Sequence, residues 1–187
     1  QLDAMEYAKR ATLISVVKGK VILDGTDTAN RLKIDGGTSK TGIDNIAIYA
    51  GAAGTIPAST LSEVESYIPL TITNSDLSTA IFAEKRGKVT SNGNIVISGS
   101  NGVKGIITDS YAQAAIGGNI NLTTGGVYTD ASNIKTGSVV VGAMDHSSVT
   151  GTGIITADVN GKESIALYAD DNSTIDVQNT ASNIKVL

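Results

Sequence analysis

The chain has 187 residues, and 14 Lys and Arg against 18 Asp and Glu give a net charge of −4, so we expect one domain or one slice of a longer array. This acidic balance excludes a basic protein that coats a nucleic-acid duplex. The chain contains no Cys, which excludes disulfides, thiolate metal sites and a Cys nucleophile.

The apolar residues are mostly small or β-branched. Aromatic residues make up 4% of the chain, with one Phe and no Trp, whereas there are 22 Ile, 15 Val and 21 Gly. Such a composition favours strands and tight turns, so we predict an all-β protein. The sequence contains no run of 18 apolar residues, which argues against a membrane helix. It has no basic, apolar leader at Gln1, which argues against an attached signal peptide. We therefore expect a mature product or an excised fragment with no membrane insertion of its own.

The N-terminal residues 1–10 place Leu2, Met5 and Tyr7 among charged residues and Ala, which predicts a short helix or a lead-in to the first strand. Beyond them a pattern recurs in which a bulky residue precedes a β-branched residue by seven positions. The segments are 14–21, 49–56, 82–89 and 168–175, with looser copies at 108–116 and 141–149. Because these units begin 26 to 35 residues apart, the pattern predicts the stacked coils of a solenoid.

Short runs within the units alternate apolar and polar residues, as in 93–99, 118–123 and 173–178. Alternation with period two would direct Ile and Val into one narrow core shared by all coils. We expect Tyr49, Phe82 and Tyr168 to share a column inside the coil, with an outer stripe as the alternative. A second repeated pattern relates the segments 27–34, 129–136 and 179–186, and it predicts a common column for Leu32, Ile134 and Ile184.

One stretch departs from the repeat. Thr60 and Glu63 have the spacing of a capping box, and Pro57 and Pro69 flank them. We therefore expect a short helical or loop excursion near 57–69, within an extended loop over 57–79. Such loops often bind partners and are equally often tolerated insertions.

The most specific likeness lies in 45–56 and 164–175. Asn45-Ile-Ala-Ile-Tyr-Ala50 is followed by Gly-Thr-Ile56, and Ser164-Ile-Ala-Leu-Tyr-Ala169 by Asn-Ser-Thr-Ile175. These units resemble the repeats in passenger domains of Gram-negative autotransporters, the type V secretion adhesins, and the resemblance covers most of residues 11–187. It implies a right-handed, single-stranded parallel β-helix, export through an outer-membrane barrel, and adhesion or display at the cell surface, as in secreted virulence factors.

The chain lacks a translocator barrel, a linker helix and a protease-like N-terminal domain, so we expect a segment of a longer passenger. Trimeric autotransporter adhesin heads are the rival within this class, because Ser138-Val-Val-Val-Gly142 is similar to their short coils. Their units are much shorter than those of this chain.

Parallel β-helices also include polysaccharide lyases and hydrolases, which need clustered carboxylates. The candidates are Asp24 with Asp27, Asp109 and Asp130, Asp145 with His146, Asp158, and Asp170 with Asp171. None forms a recognisable motif, and we expect turn residues, with catalysis or Ca²⁺ binding at Asp170 and Asp171 left open. His146 precedes two serines, but adjacency in sequence does not make a catalytic triad.

Three further patterns have plain structural interpretations. None of the glycine pairs 36–37, 117–118 and 125–126 leads into Lys-Ser or Lys-Thr at the spacing of a phosphate loop, so these pairs predict turns. Lys85, Arg86 and Lys88 lie beside Glu84 and predict a solvated corner. A single Thr-Ile-Thr run at 71–73 does not make an ice-binding plane.

The sequence therefore predicts a non-enzymatic, extracellular β-helical segment that acts as a rigid stalk. Its outer polar columns and the 57–79 excursion would face a host protein, a glycan or a neighbouring cell. We predict no catalytic residue, cofactor, metal ligand or nucleic-acid partner. We also expect a monomer that can associate end to end, since the ends of a solenoid are open strand edges.

Overall fold

The computed structural model describes residues 2–4, 7–25, 31–52 and 61–186 of the chain. In these residues the chain winds through three parallel sheets, and each turn of the coil adds one strand to each sheet. No helix is present in the described residues. The predicted all-β class and the parallel β-helix are confirmed.

The strands are numbered along the chain, and within each sheet they follow one another in spatial order. The first sheet contains β1 (Leu2–Ala4), β4 (Leu32–Asp35), β7 (Leu70–Thr73), β10 (Ile95–Ser98), β13 (Ile120–Gly125), β18 (Ile155–Val159) and β21 (Asn183–Val186). The second contains β2 (Thr12–Val16), β5 (Ile46–Ala50), β8 (Thr79–Glu84), β11 (Lys104–Asp109), β16 (Val139–Ala143) and β19 (Ile165–Ala169). The third contains β3 (Gly19–Leu23), β6 (Ser62–Ser66), β9 (Lys88–Ser91), β12 (Gln113–Ile116), β17 (Ser148–Gly151) and β20 (Thr174–Val177). A short antiparallel pair, β14 (Tyr128–Thr129) and β15 (Lys135–Thr136), projects between β13 and β16.

The core consists of columns of similar apolar side chains. In the third sheet the registered column is Val21, Val64, Val89, Ala114, Val149 and Ile175. Ile72, Ile97 and Leu122 follow one another in the first sheet and are fully buried. Stacking β-branched residues on themselves fills a narrow interior without large aromatic rings, which explains the composition.

Serines at the corners connect the coils where strand pairing is interrupted. The amide of Val103 donates to Ser138 Oγ at 3.3 Å, and the amide of Ser138 donates in turn to Ser164 Oγ at 3.2 Å. At another corner the amide of Ala112 donates to Ser147 Oγ at 3.1 Å. These buried hydroxyls accept hydrogen bonds from amides that would otherwise lack an acceptor.

The expected excursion near 57–69 is wrong over the part that the structure describes, residues 61–69. Ser62–Ser66 is strand β6, and β7 follows at Leu70, so no long loop covers 61–79. Ser62, Val64 and Ser66 are buried whereas Glu63 and Glu65 are half-buried, so the period of two outweighs the capping-box spacing. Pro57 and Thr60 lie outside the described residues.

Two other expectations are corrected. Residues 2–4 form β1, which pairs with β4, and Lys9 bridges to Ile43, so the described part of 1–10 contains no helix. Leu32, Ile134 and Ile184 do not share a column. Ile184 is registered with Ala157, in the column that contains Ile34, and Ile134 is 63% exposed beside the β14–β15 pair.

Candidate binding surface

The strands of the second sheet depart from simple alternation in the same way in successive coils. The first and fourth residues face outward, as Ile46 and Tyr49 do, whereas the second and third, Ala47 and Ile48, belong to the core. The second residue is small in four coils, at Ala47, Ala80, Gly105 and Ala166. A small side chain leaves room for the larger third residue beside it, so this sheet has two outward columns three residues apart.

One of these outward columns contains the aromatic residues. Its members in order are Ser15, Tyr49, Phe82, Ile107, Gly142 and Tyr168. The rings of Tyr49 and Phe82 are 5.9 Å apart between centroids, and the Tyr49 hydroxyl donates to Glu84 Oε1 at 2.6 Å. Burial, together with this hydrogen bond, raises the pKa of Tyr49. The prediction of a shared column is confirmed, but the inward placement is wrong and the outer stripe is correct.

An apolar groove of about 500 Å³ lies along this face. Its apolar lining includes Phe82, Ile107, Val139, Gly142, Ile165 and Tyr168. A Cβ at Gly142 would lie 2.9 Å from Ile107 Cδ1, so a larger residue at this position would have to displace the Ile107 side chain. We call this feature the apolar groove.

Three charged residues border the apolar groove: Asp44, Lys104 and Asp109. Asp44 is paired with Arg10, whose Nε lies 3.4 Å from the Asp44 carboxylate. The Asp109 carboxylate accepts a hydrogen bond from the Ser110 hydroxyl at 3.2 Å. Among the ion pairs of the described residues, none includes Lys104. Within the part of the chain that the structure describes, Lys104 is therefore the groove cation without an ion-pair partner.

A second, polar groove of about 380 Å³ lies on the outer face of the third sheet. Ala115 and Gly117 form a depression between the longer polar side chains of neighbouring coils. These polar residues are Thr90, Asn92, Thr150, Thr152, Asp176 and Gln178. Hydroxyl, amide and carboxylate groups in register give this face both donors and acceptors.

The corner between the second and third sheets holds a cluster that sequence spacing does not reveal. Ligand atoms of Asp145, His146 and Asp171 all lie within 4.8 Å of one another. The His146 ring stacks on Tyr111, and the Arg86 guanidinium lies 5.6 Å from the Tyr111 ring centroid. We call Asp145, His146 and Asp171 the corner cluster. Its side chains are exposed or half-buried, and its groups come from two successive coils.

The turn interpretation of Asp170 and Asp171 agrees with the backbone. Asp171 and Asn172 have φ values of 44° and 59°, in the left-handed region that Asp and Asn tolerate. Asp170 accepts a hydrogen bond from the Tyr168 hydroxyl, and this bond raises the pKa of Tyr168. The two carboxylates thus have different surroundings, and only Asp171 approaches His146 and Asp145.

The other carboxylates proposed from sequence lie apart. Asp130 accepts amide hydrogen bonds from Ser132 and Ile134, which is a local turn, and Asp109 borders the apolar groove. Asp158 lies in β18. Asp24 is described but Asp27 is outside the described residues, so that pair has no observed geometry.

The basic and glycine patterns have structural roles. Arg86 contacts Tyr111, and Lys88 lies in register with Glu63. A Cβ on Gly36 would be 1.9 Å from Asn74 O, and one on Gly118 would be 2.2 Å from Gly93 O. Glycine is needed there because adjacent coils approach closely. Thr71 and Thr73 are registered with Val96 and Ser98, so no Thr plane forms around them.

No described helix has the length and apolar character needed to cross a membrane. Comparison with protein families, with curated proteins and with solved structures finds no match to this chain.

Proposed function

We propose that this chain is a rigid, non-enzymatic segment of an autotransporter-like surface protein, which displays its lateral faces to a host protein, a glycan or a neighbouring cell. The observation that supports this proposal is the register of the outer columns. Tyr49, Phe82 and Ile107 repeat at equivalent positions of successive coils, and each coil is hydrogen-bonded to its neighbours. A surface of this kind has little conformational entropy left to lose when it binds.

Both outer grooves provide places for such contacts. The apolar groove offers aliphatic and aromatic contacts, whereas the polar groove offers hydrogen-bonding groups in register. The location implied by this role is the outside of a bacterial cell, with the full protein anchored in the outer membrane.

The experiment is binding of labelled chain to arrays of glycans and extracellular-matrix proteins, followed by surface plasmon resonance on each hit. We expect saturable binding that only one of two variants abolishes: Phe82→Ser in the apolar groove or Thr150→Lys in the polar groove. Thr156→Ala, at an exposed outward position of β18 in the first sheet, is the matched control. Absence of saturable binding to any array member would contradict display as the role.

The alternative is a carbohydrate-active enzyme, and the corner cluster is the observation that favours it. Its carboxylates and imidazole could act as acid and base, although they are exposed or half-buried. Incubation with a panel of polysaccharides distinguishes the two functions. Release of product by the wild-type chain, abolished by Asp171→Ala, would support the enzyme; no turnover on any substrate agrees with display.

We also propose weak end-to-end association of two copies. Strands β1, β2 and β3 form one edge of the three sheets, and β19, β20 and β21 form the other. Leu167, in the column that continues the core, is 45% exposed at that second edge. Sedimentation velocity should show concentration-dependent association that Leu167→Lys removes. A monodisperse wild-type chain at high concentration would contradict this.

A further inference from the structure

We propose that the apolar groove binds a monomeric organic anion that has a long aliphatic body and one carboxylate. This proposal goes beyond the display role and does not depend on it. The groove volume of about 500 Å³ falls within the usual range for small-molecule sites, about 300–1,000 Å³. Most of its lining is aliphatic or aromatic, which is also typical of such sites.

The shape of the apolar groove is set by an alternation of long and short side chains across the coils. Phe82 and Tyr168 lie three strands apart in one outward column, with Ile107 and Gly142 between them. With strands about 4.8 Å apart, the two rings are roughly 14 Å apart at their Cα atoms. Ile107 is 7% exposed and Gly142 is buried, so these residues form the floor and the rings form the two walls.

A second row of apolar side chains runs parallel to this floor. Val139 and Ile165 occupy the other outward column, next to Lys104 in β11. An extended aliphatic chain that lies across the coils can therefore contact both rows at once. Removing its surface from water, and the surface of the groove with it, is the driving force.

The positive charge of Lys104 determines which polar head group the ligand carries. Lys104 lies in the same outward column as Val139, and it is the lining cation that has no carboxylate partner among the described residues. The nearby acids do not neutralise it: Asp44 is two strands away and paired with Arg10. Asp109 is five residues further along β11 than Lys104, so their Cα atoms are roughly 16 Å apart at the rise of an extended strand. Coulomb attraction weakens as the separation of two charges grows, so Asp109 interacts only weakly with Lys104.

An ammonium beside apolar walls favours an anion over a neutral or cationic head, because the charge-assisted hydrogen bond forms in a partly dehydrated place. The long Lys104 stem can lie along the apolar wall while its amine reaches the carboxylate. The ligand that matches this chemistry is therefore a medium- or long-chain carboxylate.

The test is isothermal titration of the full chain with dodecanoate below its micelle concentration, with dodecyl maltoside as the neutral ligand of equal chain length. We expect saturable binding of dodecanoate, and binding of the maltoside at least tenfold weaker. Lys104→Met keeps the apolar stem and removes the charge, so dodecanoate should bind at least tenfold less tightly while the maltoside is unaffected. Equal binding of dodecanoate by this variant would overturn the proposal.

Gly142→Val fills the groove floor, and we expect it to abolish measurable binding. Gly151→Val is the matched control, since Gly151 also lies in a strand of the same coil, and a Cβ there makes an ordinary contact of 3.4 Å with Ile116 O. The control should bind within about twofold of the wild-type chain. Unchanged binding by a folded Gly142→Val variant would also overturn the proposal.

A measurement on the wild-type chain keeps the proposal testable if Gly142→Val does not fold. Dodecanoate should shift the amide NMR resonances of Phe82, Ile107 and Tyr168, and leave those of Thr90 and Thr150 on the third sheet unchanged. Shifts confined to other faces, or no binding, would overturn it. Binding to phosphatidylglycerol vesicles without binding of monomeric dodecanoate would instead identify a membrane surface as the occupant. Self-association that Gly142→Val abolishes, without ligand binding, would identify a second copy.

Discussion

The rings of Tyr111 and His146 stack with a centroid distance of 4.9 Å and an interplanar angle of 12°, although they belong to successive coils. Both residues have left-handed backbones, with φ of 65° and 60°. Arg86, one coil earlier, has a φ of 65° and places its guanidinium near the Tyr111 ring. The corner therefore keeps three residues in a costly backbone region, where the Tyr111 ring contacts the side chains of the other two.

Replacing Tyr111 should show how much this stack stabilises the corner. Tyr111→Ala removes one aromatic pair and one cation–π contact, which together contribute about 1–2 kcal/mol at an exposed site. Tyr111→Phe keeps both contacts and should change the free energy of unfolding by less than about 0.5 kcal/mol. Urea denaturation followed by circular dichroism measures both. Equal stability of the Ala variant and the wild-type chain would show that the stack contributes nothing.

The repeat was recognisable from sequence because the coils place similar residues on one another. Val21, Val89, Val149 and Ile175, each the β-branched residue that ends a repeat unit, do share one column of the third sheet. In the second coil the residue registered with Val21 is Val64, eight positions beyond the end of the unit 49–56, whose Ile56 lies outside the described residues. A longer connection between β5 and β6 displaces the strand, and sequence spacing alone cannot show which apolar residue resumes the register.

Whether a residue faces inward or outward was harder to predict than which residues stack in one column. Strict alternation of inward and outward residues would assign the faces of Tyr49 and Phe82 from their neighbours in the sequence. This assignment fails because Ala47 and Ile48 are consecutive core residues, as are Ala80 and Ile81. The apolar groove exists because Gly142 and the two rings lie in one outward column, which requires the register of several coils. The approach of Asp171 to His146 likewise depends on how the corners stack, and not on any spacing in the chain.

The orientation of the second sheet can be tested with two neighbouring residues. Ile81 is fully buried, so Ile81→Ala should lower the free energy of unfolding by about 2–5 kcal/mol. Phe82 is half-buried on the outer face, and Phe82→Ala should lower it by less than about 2 kcal/mol despite the larger side chain lost. Chemical denaturation of both variants gives the comparison. The reverse order of the two effects would contradict the outward placement of Phe82.

The corner serines should behave as structural acceptors. Ser138→Ala removes the hydroxyl that accepts from the buried Val103 amide and donates to Gly126 O at 2.7 Å. An unsatisfied buried amide costs about 1–3 kcal/mol, so the variant should be less stable by that amount. Ser98→Ala, at a half-buried outward position of β10, is the control and should change stability by less than about 0.5 kcal/mol. Amide hydrogen exchange should also accelerate at Val103, and unchanged protection there would count against this role.

Acid pH should lower the free energy of unfolding by protonating Asp35, on the outer face of the first sheet. Lys33 Nζ lies 2.8 Å from one oxygen of its carboxylate, and the Gly37 amide donates to the other at 2.9 Å. The hydrogen bond from Lys33, and next that from Gly37, hold the pKa of Asp35 below its ordinary value of 3.8. A carboxyl group with a lowered folded-state pKa stabilises the fold above its unfolded pKa, and this contribution is lost as pH falls through the folded value.

We therefore expect the stability difference between the wild-type chain and Asp35→Asn to be constant between about pH 5 and pH 7, and to shrink as pH falls below the unfolded-state pKa of 3.8. Asparagine keeps an oxygen for the Gly37 amide but has no charge for Lys33, so the comparison isolates the charged contact. Urea midpoints across this range measure the difference, and NMR titration of the Asp35 carboxyl group gives its pKa directly. Lys33→Met should move that pKa upward, towards 3.8, because the leading cause of its lowering is removed. A difference that stays the same from pH 7 to pH 2 would show that the charge of Asp35 makes no contribution to the fold.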